Sequence, residues 1–125
     1  MKSLLTVTAV GEGTTGLALL VAPALLLSLL LGGSTDTPAV LVVARVTGAA
    51  LDALGVACWL ARNEQRNRAA IGLVAAMLLY NAVVAAVLIY ACLRLGLSGI
   101  GLWPTVVLHA VLAVWCVANL RSRNQ

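Results

Sequence analysis

Charge is scarce in this sequence, and long polar stretches are missing. Only 10% of its 125 residues are charged, whereas 62% are apolar and the mean hydropathy is +1.07. Such a composition lies far outside the range of soluble domains, so a water-soluble globule is excluded. The polar connections are short and leave no room for a domain outside the membrane. We therefore expect any activity to take place within or between membrane helices.

The sequence also lacks paired ligands for a metal or a disulfide. Its three cysteines, Cys58, Cys92 and Cys116, each stand alone in an apolar segment, and we predict no disulfide and no zinc site. The single histidine, His109, cannot supply both axial ligands of a low-spin haem within one copy. The net charge of +4 comes mainly from the ends of the apolar runs, which is typical of membrane topology rather than nucleic-acid binding. We expect no metal, no cofactor and no nucleic-acid partner.

Four apolar runs are present, each near the length of about 20 residues that a helix needs to cross a hydrocarbon core. They predict an all-α fold, an integral membrane bundle in which residues 1–125 form a single four-helix transmembrane domain. The predicted helices cover about residues 4–31, 39–61, 69–93 and 102–120. Pro23 lies inside the first of these segments, and we expect it to bend that helix.

Basic residues are unevenly distributed between the two ends of the predicted helices. Among the basic residues of the loops and tails, Arg94 stands alone at one end, and the other six lie at the opposite end: Lys2, Arg62, Arg66, Arg68, Arg121 and Arg123. By the positive-inside rule, both termini face the cytoplasm. Glu12 and the glycines around it interrupt the apolar core that a signal peptide needs, so cleavage is not expected. We predict an integral protein of the bacterial cytoplasmic (inner) membrane, with the lipid bilayer around it.

Each predicted helix carries one polar residue at a similar depth. Counted from the inner helix ends at about 1.5 Å per residue, the depths are about 12, 14, 16 and 18 Å for Glu12, Asp52, His109 and Asn81. Ionisable groups at such depths are costly unless they are paired or hydrated. This layer therefore predicts an intramembrane polar site for a proton, a small cation or a small polar ligand.

Each side chain of this predicted site has an expected role. Glu12 is the carboxylate expected to exchange a proton, because the adjacent glycines permit close backbone approach. Asp52 is expected to act as a second acid or as the partner of His109, while Asn81 and Tyr80 supply hydrogen bonds. Arg45 lies about 10 Å further toward the outside on nearly the same face as Asp52. The alternative is that the polar side chains only join helices and that Arg45 reaches the membrane interface.

The second predicted helix has a small side chain at every fourth position. These residues form an alanine stripe: Ala49, Ala53, Ala57 and Ala61. Such a stripe lets another backbone come close inside a membrane, so it predicts a tight helix contact. A single copy would leave much of each helix facing lipid. We therefore expect a homo-oligomer or other membrane subunits as partners.

Three classes of function remain open at this level. The first is a non-catalytic oligomeric or accessory subunit of a membrane assembly, favoured by the alanine stripe, the short loops and the absence of a catalytic spacing. The second is a proton- or ion-linked small transporter or channel that uses the polar layer. The third is a membrane enzyme that acts on a lipid or a quinone, with Asp52 and His109 as an acid–base pair.

Overall fold

The computed structural model describes residues 1–33 and 37–122, and within them it contains helices and no strands. The five helices are α1 (Lys2–Val21), α2 (Pro23–Leu31), α3 (Pro38–Ala61), α4 (Arg68–Leu95) and α5 (Leu102–Arg121). All but α2 are long and apolar enough to cross a membrane. The all-helical prediction and the presence of four apolar spans are confirmed. Arg123, one of the basic residues of the predicted cytoplasmic side, lies outside the described residues.

The structure divides the segment predicted as one bent helix over residues 4–31 into α1 and α2. The chain leaves helical geometry at Ala22, with φ −135° and ψ 58°, and α2 then begins at Pro23. Proline has no backbone N–H, and its ring clashes with the preceding turn of a helix. It is well tolerated at a first helical position, so the chain stops and restarts there. Where a bend at Pro23 was expected, the structure therefore has a break between two helices.

The other three helices begin and end within two residues of the predicted bounds. Local signals explain two of these ends. The Asn67 side-chain oxygen accepts a hydrogen bond from the Ala70 N–H at 2.9 Å, which caps the start of α4. Gly96 ends the same helix in the left-handed region at φ 68°, a conformation that glycine adopts without strain.

The helices pack as two close pairs, α1 with α3 and α4 with α5. At one end of the bundle the pairs meet in an apolar cluster to which all four long helices contribute: Leu4, Leu5, Ala9, Cys58, Val74, Met77, Leu112 and Cys116. The Arg66 side chain there donates to the Asn119 carbonyl at 2.6 Å, which joins the α3–α4 loop to the end of α5. We call this the basic end. Next to this apolar cluster, a space remains open between the two helix pairs.

At the opposite end, α2 reaches the connection between α4 and α5. The Gly101 N–H donates to the Leu29 carbonyl at 2.8 Å, and Leu30 and Leu31 pack against a second apolar cluster that contains Leu102. We call this the α2 end. The short helix thus spans the gap between the two pairs.

Glycines, and not the alanine stripe, form the close contact of α3 with α1. A Cβ atom added at Gly48 would lie 2.7 Å from the Gly16 carbonyl oxygen, and one at Gly55 would lie 3.1 Å from the Ala9 carbonyl oxygen. The three stripe residues Ala49, Ala53 and Ala57 are exposed, and Ala61 is half-buried. Each residue turns a helix by about 100°, so Ala49 is carried away from the face that Gly48 presents to α1. The predicted contact is therefore not made within this chain.

Candidate ligand-binding cavity

A cavity of about 200 Å³ lies between α1, α2, α4 and α5. Its aliphatic wall comes mainly from leucines of α2 and α5. Its polar wall is formed by six residues from three helices: Thr8, Glu12, Thr15, Tyr80, Thr105 and His109. The basic-end cluster closes the bundle on one side, and α2 lies across the other. The cavity thus places polar side chains from three helices opposite an aliphatic wall.

Glu12 is the acidic residue of this cavity. It is only 5% exposed, and its Oε2 accepts a hydrogen bond of 3.1 Å from the Tyr80 hydroxyl. Within residues 1–33 and 37–122, no lysine or arginine forms an ion pair with it. A buried carboxylate without a cation is costly in an apolar medium. Glu12 therefore favours a bound proton or a positively charged ligand.

Asn81 and His109 form a second polar pair, and their hydrogen bonds determine which nitrogen of the neutral imidazole carries the hydrogen. Asn81 is fully buried, and its Nδ2 donates to the Met77 carbonyl at 2.7 Å. The amide oxygen therefore faces the His109 Nδ1 atom, 2.7 Å away. Because that oxygen only accepts, Nδ1 must carry the hydrogen. In the neutral ring, Nε2 is then an acceptor, and His109 lines the cavity.

Thr8 is a functional candidate that the sequence reasoning missed. The hydroxyls of Thr6 and Thr14 each donate to the carbonyl four residues earlier in α1. The Thr8 hydroxyl is buried and has no hydrogen-bond partner in the described part of the chain. It lies one helical turn from Glu12 and lines the same cavity. The spacing of four residues from Glu12 is the signal that would have identified it.

Together these side chains make the cavity rich in acceptors. Glu12 contributes a carboxylate, and the Tyr80 oxygen keeps its acceptor capacity because its proton is directed to Glu12. His109 adds Nε2, and the Thr8 hydroxyl can donate or accept. Such a set suits a ligand with several N–H or O–H donors, and a cation best of all.

Asp52 does not belong to this cavity. It is half-buried and lines a separate outer groove with Gly13 and Trp59. Its carboxylate packs against Gly16, where an added Cβ atom would collide with it. Asp52 and His109 therefore line different spaces, and the acid–base pair expected of an enzyme is not assembled. The predicted layer is divided: Glu12, Asn81 and His109 come together with Tyr80, while Asp52 lies apart.

Arg45 also lies away from the cavity. Its side chain is exposed, and Nε donates to the Leu20 carbonyl at 3.3 Å. Leu20 belongs to the last turn of α1, where carbonyls lack helical donors. A positive charge at a helix C-terminus is also favoured by the helix dipole. Arg45 thus stabilises the break between α1 and α2.

No protein-family model matches the chain, and no curated protein or solved structure is significantly similar to it. Within residues 1–33 and 37–122, no three histidine, cysteine, aspartate or glutamate side chains are close enough to hold a metal ion. Among the described residues, the cavity with Glu12 is the arrangement with the clearest ligand chemistry.

Proposed function

We propose that this chain is a four-span integral membrane protein that binds a proton or a small cation at Glu12 and carries it across the membrane. The observation that supports this function is the burial of the Glu12 carboxylate in an acceptor-rich cavity without a cationic partner in the described residues. Charged groups inside a membrane are expensive, and they commonly mark ion and proton pathways. A proton or cation from outside the chain would neutralise this group.

Competition at one carboxylate gives this site a simple coupling chemistry. The Glu12 carboxylate is neutral when a proton is bound and is balanced when a cation is bound, but it does not hold both at full strength. Release of one would therefore favour binding of the other. His109 Nε2 offers a second proton acceptor beside the same cavity. Proton-linked exchange is the mode of transport that this arrangement supports.

We propose that both termini face the cytoplasm and that the membrane is the bacterial cytoplasmic (inner) membrane. Lys2, Arg66 and Arg121 all belong to the basic end of the bundle, whereas Arg94 is at the α2 end. The positive-inside rule then favours the cytoplasm at the basic end. The Arg62 guanidinium stacks over the Trp59 ring at 3.4 Å, an arrangement suited to the membrane interface.

A second candidate is a non-catalytic oligomeric or accessory subunit. The observation in its favour is the exposure of Ala49, Ala53 and Ala57 on one face of α3. Small side chains on an outward face let the helix of another membrane chain approach closely. In this case the Glu12–Tyr80 bond would only hold α1 to α4. The two candidates differ in whether the purified protein moves ions.

The test is ion flux through purified protein in liposomes, measured as a function of pH. We expect proton or monovalent-cation flux from the wild type and its loss in Glu12→Gln, because the amide keeps hydrogen bonds but has no charge. Glu64→Gln is the matched control, since Glu64 is exposed in the α3–α4 loop. Flux that survives in Glu12→Gln would overturn the proposal. Folded wild-type protein without flux would overturn it as well and favour the subunit.

A further inference from the structure

An apolar groove of about 440 Å³ adjoins the polar cavity. It runs between the end of α1, α2 and the first half of α3, and leucine, valine and alanine side chains form nearly all of its lining. Thr47 is one of its two polar lining residues, and its hydroxyl is directed to the Val43 carbonyl at 2.9 Å. The groove thus offers contact with hydrocarbon and almost no hydrogen bonding.

The groove and the cavity are neighbouring spaces that share part of their lining. Thr15, Leu26 and Leu30 line both of them. Glu12 lies less than one helical turn from Thr15, so the acceptor cluster begins close to the lining that the two spaces share. A single molecule that extends from one space into the other would have one end among acceptors and the other among aliphatic side chains.

We infer that the ligand is an amphipathic amine, with a protonated amino group at Glu12 and an alkyl chain in the groove. This inference rests on the proposed cation site and names the class of cation that it takes. A primary ammonium group has three N–H donors, and the cavity offers acceptors on Glu12, Tyr80 and His109. The Thr8 hydroxyl, which has no hydrogen-bond partner in the described residues, is a fourth acceptor available to the same three N–H groups. The charge of the head complements Glu12, and the groove removes the chain from polar surroundings.

The test is equilibrium binding of octylammonium, ethylammonium and 1-octanol to the purified protein in lipid nanodiscs, corrected for partition into empty nanodiscs. Val43→Trp fills the groove. Val42→Trp is the matched control, because Val42 and Val43 are both exposed on α3, at 59% and 65%, and only Val43 lines the groove. Val40→Trp provides a second groove variant.

We expect Val43→Trp and Val40→Trp to weaken octylammonium binding by about tenfold or more, since each methylene removed from contact changes affinity by up to about fourfold. Ethylammonium binding stays at the wild-type level in both variants, because a short chain does not reach the groove. Val42→Trp leaves both affinities unchanged. Octanol, which has the chain without the charge, binds far more weakly than octylammonium.

The outcomes separate this inference from the proposed function. If Glu12→Gln loses ethylammonium binding but both groove variants bind octylammonium like the wild type, the amphipathic ligand is wrong and the cation site stands. If octanol binds as tightly as octylammonium, the groove takes a chain independently of the amine, and the inference is also wrong. If Glu12→Gln binds ethylammonium as the wild type does, the cation site itself fails.

Discussion

Glu12 and Asp52 are two carboxylates in the long apolar helices, and their surroundings differ sharply. Glu12 is 5% exposed, accepts a hydrogen bond from Tyr80 and lines a cavity with polar groups from three helices. Asp52 is half-buried, lines an outer groove and lies against Gly16 at the contact of α1 with α3. Similar depth along a helix therefore does not imply a common site, because the direction around the helix axis decides which groups meet.

The helix α1 separates these two environments. Its polar face, with Thr8 and Glu12, is directed to the α4–α5 pair, and its glycine face, with Gly13 and Gly16, is directed to α3. Small residues on one face allow backbones to approach, and the polar residues on the other face line the cavity. We therefore expect substitutions on the first face to change stability and substitutions on the second to change binding.

The largest expected effect is the contrast between Glu12→Gln and Asp52→Asn. Removal of one member of a buried charge pair costs about 3–5 kcal/mol, so Glu12→Gln should weaken ethylammonium binding by about a hundredfold or more. Asp52→Asn should leave binding and flux at the wild-type level, since Asp52 does not line the cavity. Calorimetry and liposome flux measure the two quantities. Loss of binding in Asp52→Asn with an intact fold would place both acids in one functional unit.

The next effect concerns stability at the glycine face. Gly16→Ala would bring a Cβ atom to 2.7 Å from the Gly48 carbonyl oxygen and into contact with the Asp52 carboxylate. Overpacking of this kind costs about 1–3 kcal/mol. Gly72→Ala is the matched control, because nothing lies within 4 Å of its added Cβ and alanine favours a helix. Thermal unfolding in detergent should show a lower Tm for Gly16→Ala only. Equal behaviour of the two variants would mean that α1 and α3 do not pack this closely.

Much of the fold could be predicted from hydropathy, because run length alone determines which segments can span a membrane. Hydropathy could not place the break at Ala22, since an aliphatic run continues through it and only Pro23 marks it. The alanine stripe did not identify the face of α3 that packs on α1, because glycine permits a closer approach than alanine and Gly48 lies on a different side of the helix.

The candidate site was only partly predictable for a related reason. Rise per residue gives the depth of a side chain, and this grouped Glu12, Asn81 and His109 with Asp52. Depth does not determine how each helix is rotated against its neighbours, so the separate position of Asp52 required the packing itself. The Thr8 hydroxyl, which has no partner in the described residues, is likewise a product of packing, as Thr6 and Thr14 on the same helix bond to their own backbone.

A smaller effect is expected from Asn81→Ala, which tests how the imidazole is held. The variant leaves the Nδ1 hydrogen of His109 without its acceptor, and an unpaired buried group of this kind costs about 1–3 kcal/mol. We expect a lower Tm and ethylammonium binding weakened about threefold to tenfold, because Nε2 loses its fixed direction. Asn119→Ala is the control, since in the described residues the side-chain amide of Asn119 bonds only to the Trp115 carbonyl within α5. If Asn119→Ala weakened binding equally, His109 orientation would not be the cause.

The smallest expected effect is that of Thr8→Val, which tests the polar face of α1. Thr8→Val keeps the shape of the side chain and removes a buried hydroxyl that has no partner in the described residues. Because an unpaired buried hydroxyl is destabilising, the free energy of unfolding without ligand should rise by up to about 1 kcal/mol. Ethylammonium binding should weaken about threefold to tenfold, through loss of one hydrogen bond to the head.

Thr14→Val is the control for Thr8→Val, in which stability is expected to rise while affinity for ethylammonium falls. The Thr14 hydroxyl is exposed and donates to the Val10 carbonyl at 2.7 Å, so its loss should not stabilise the protein or change binding. A packing role for Thr8 would lower stability in Thr8→Val and leave affinity unchanged. Only a hydroxyl kept unpaired for a ligand gives higher stability together with weaker binding, because the free protein then carries a cost that the bound ligand removes.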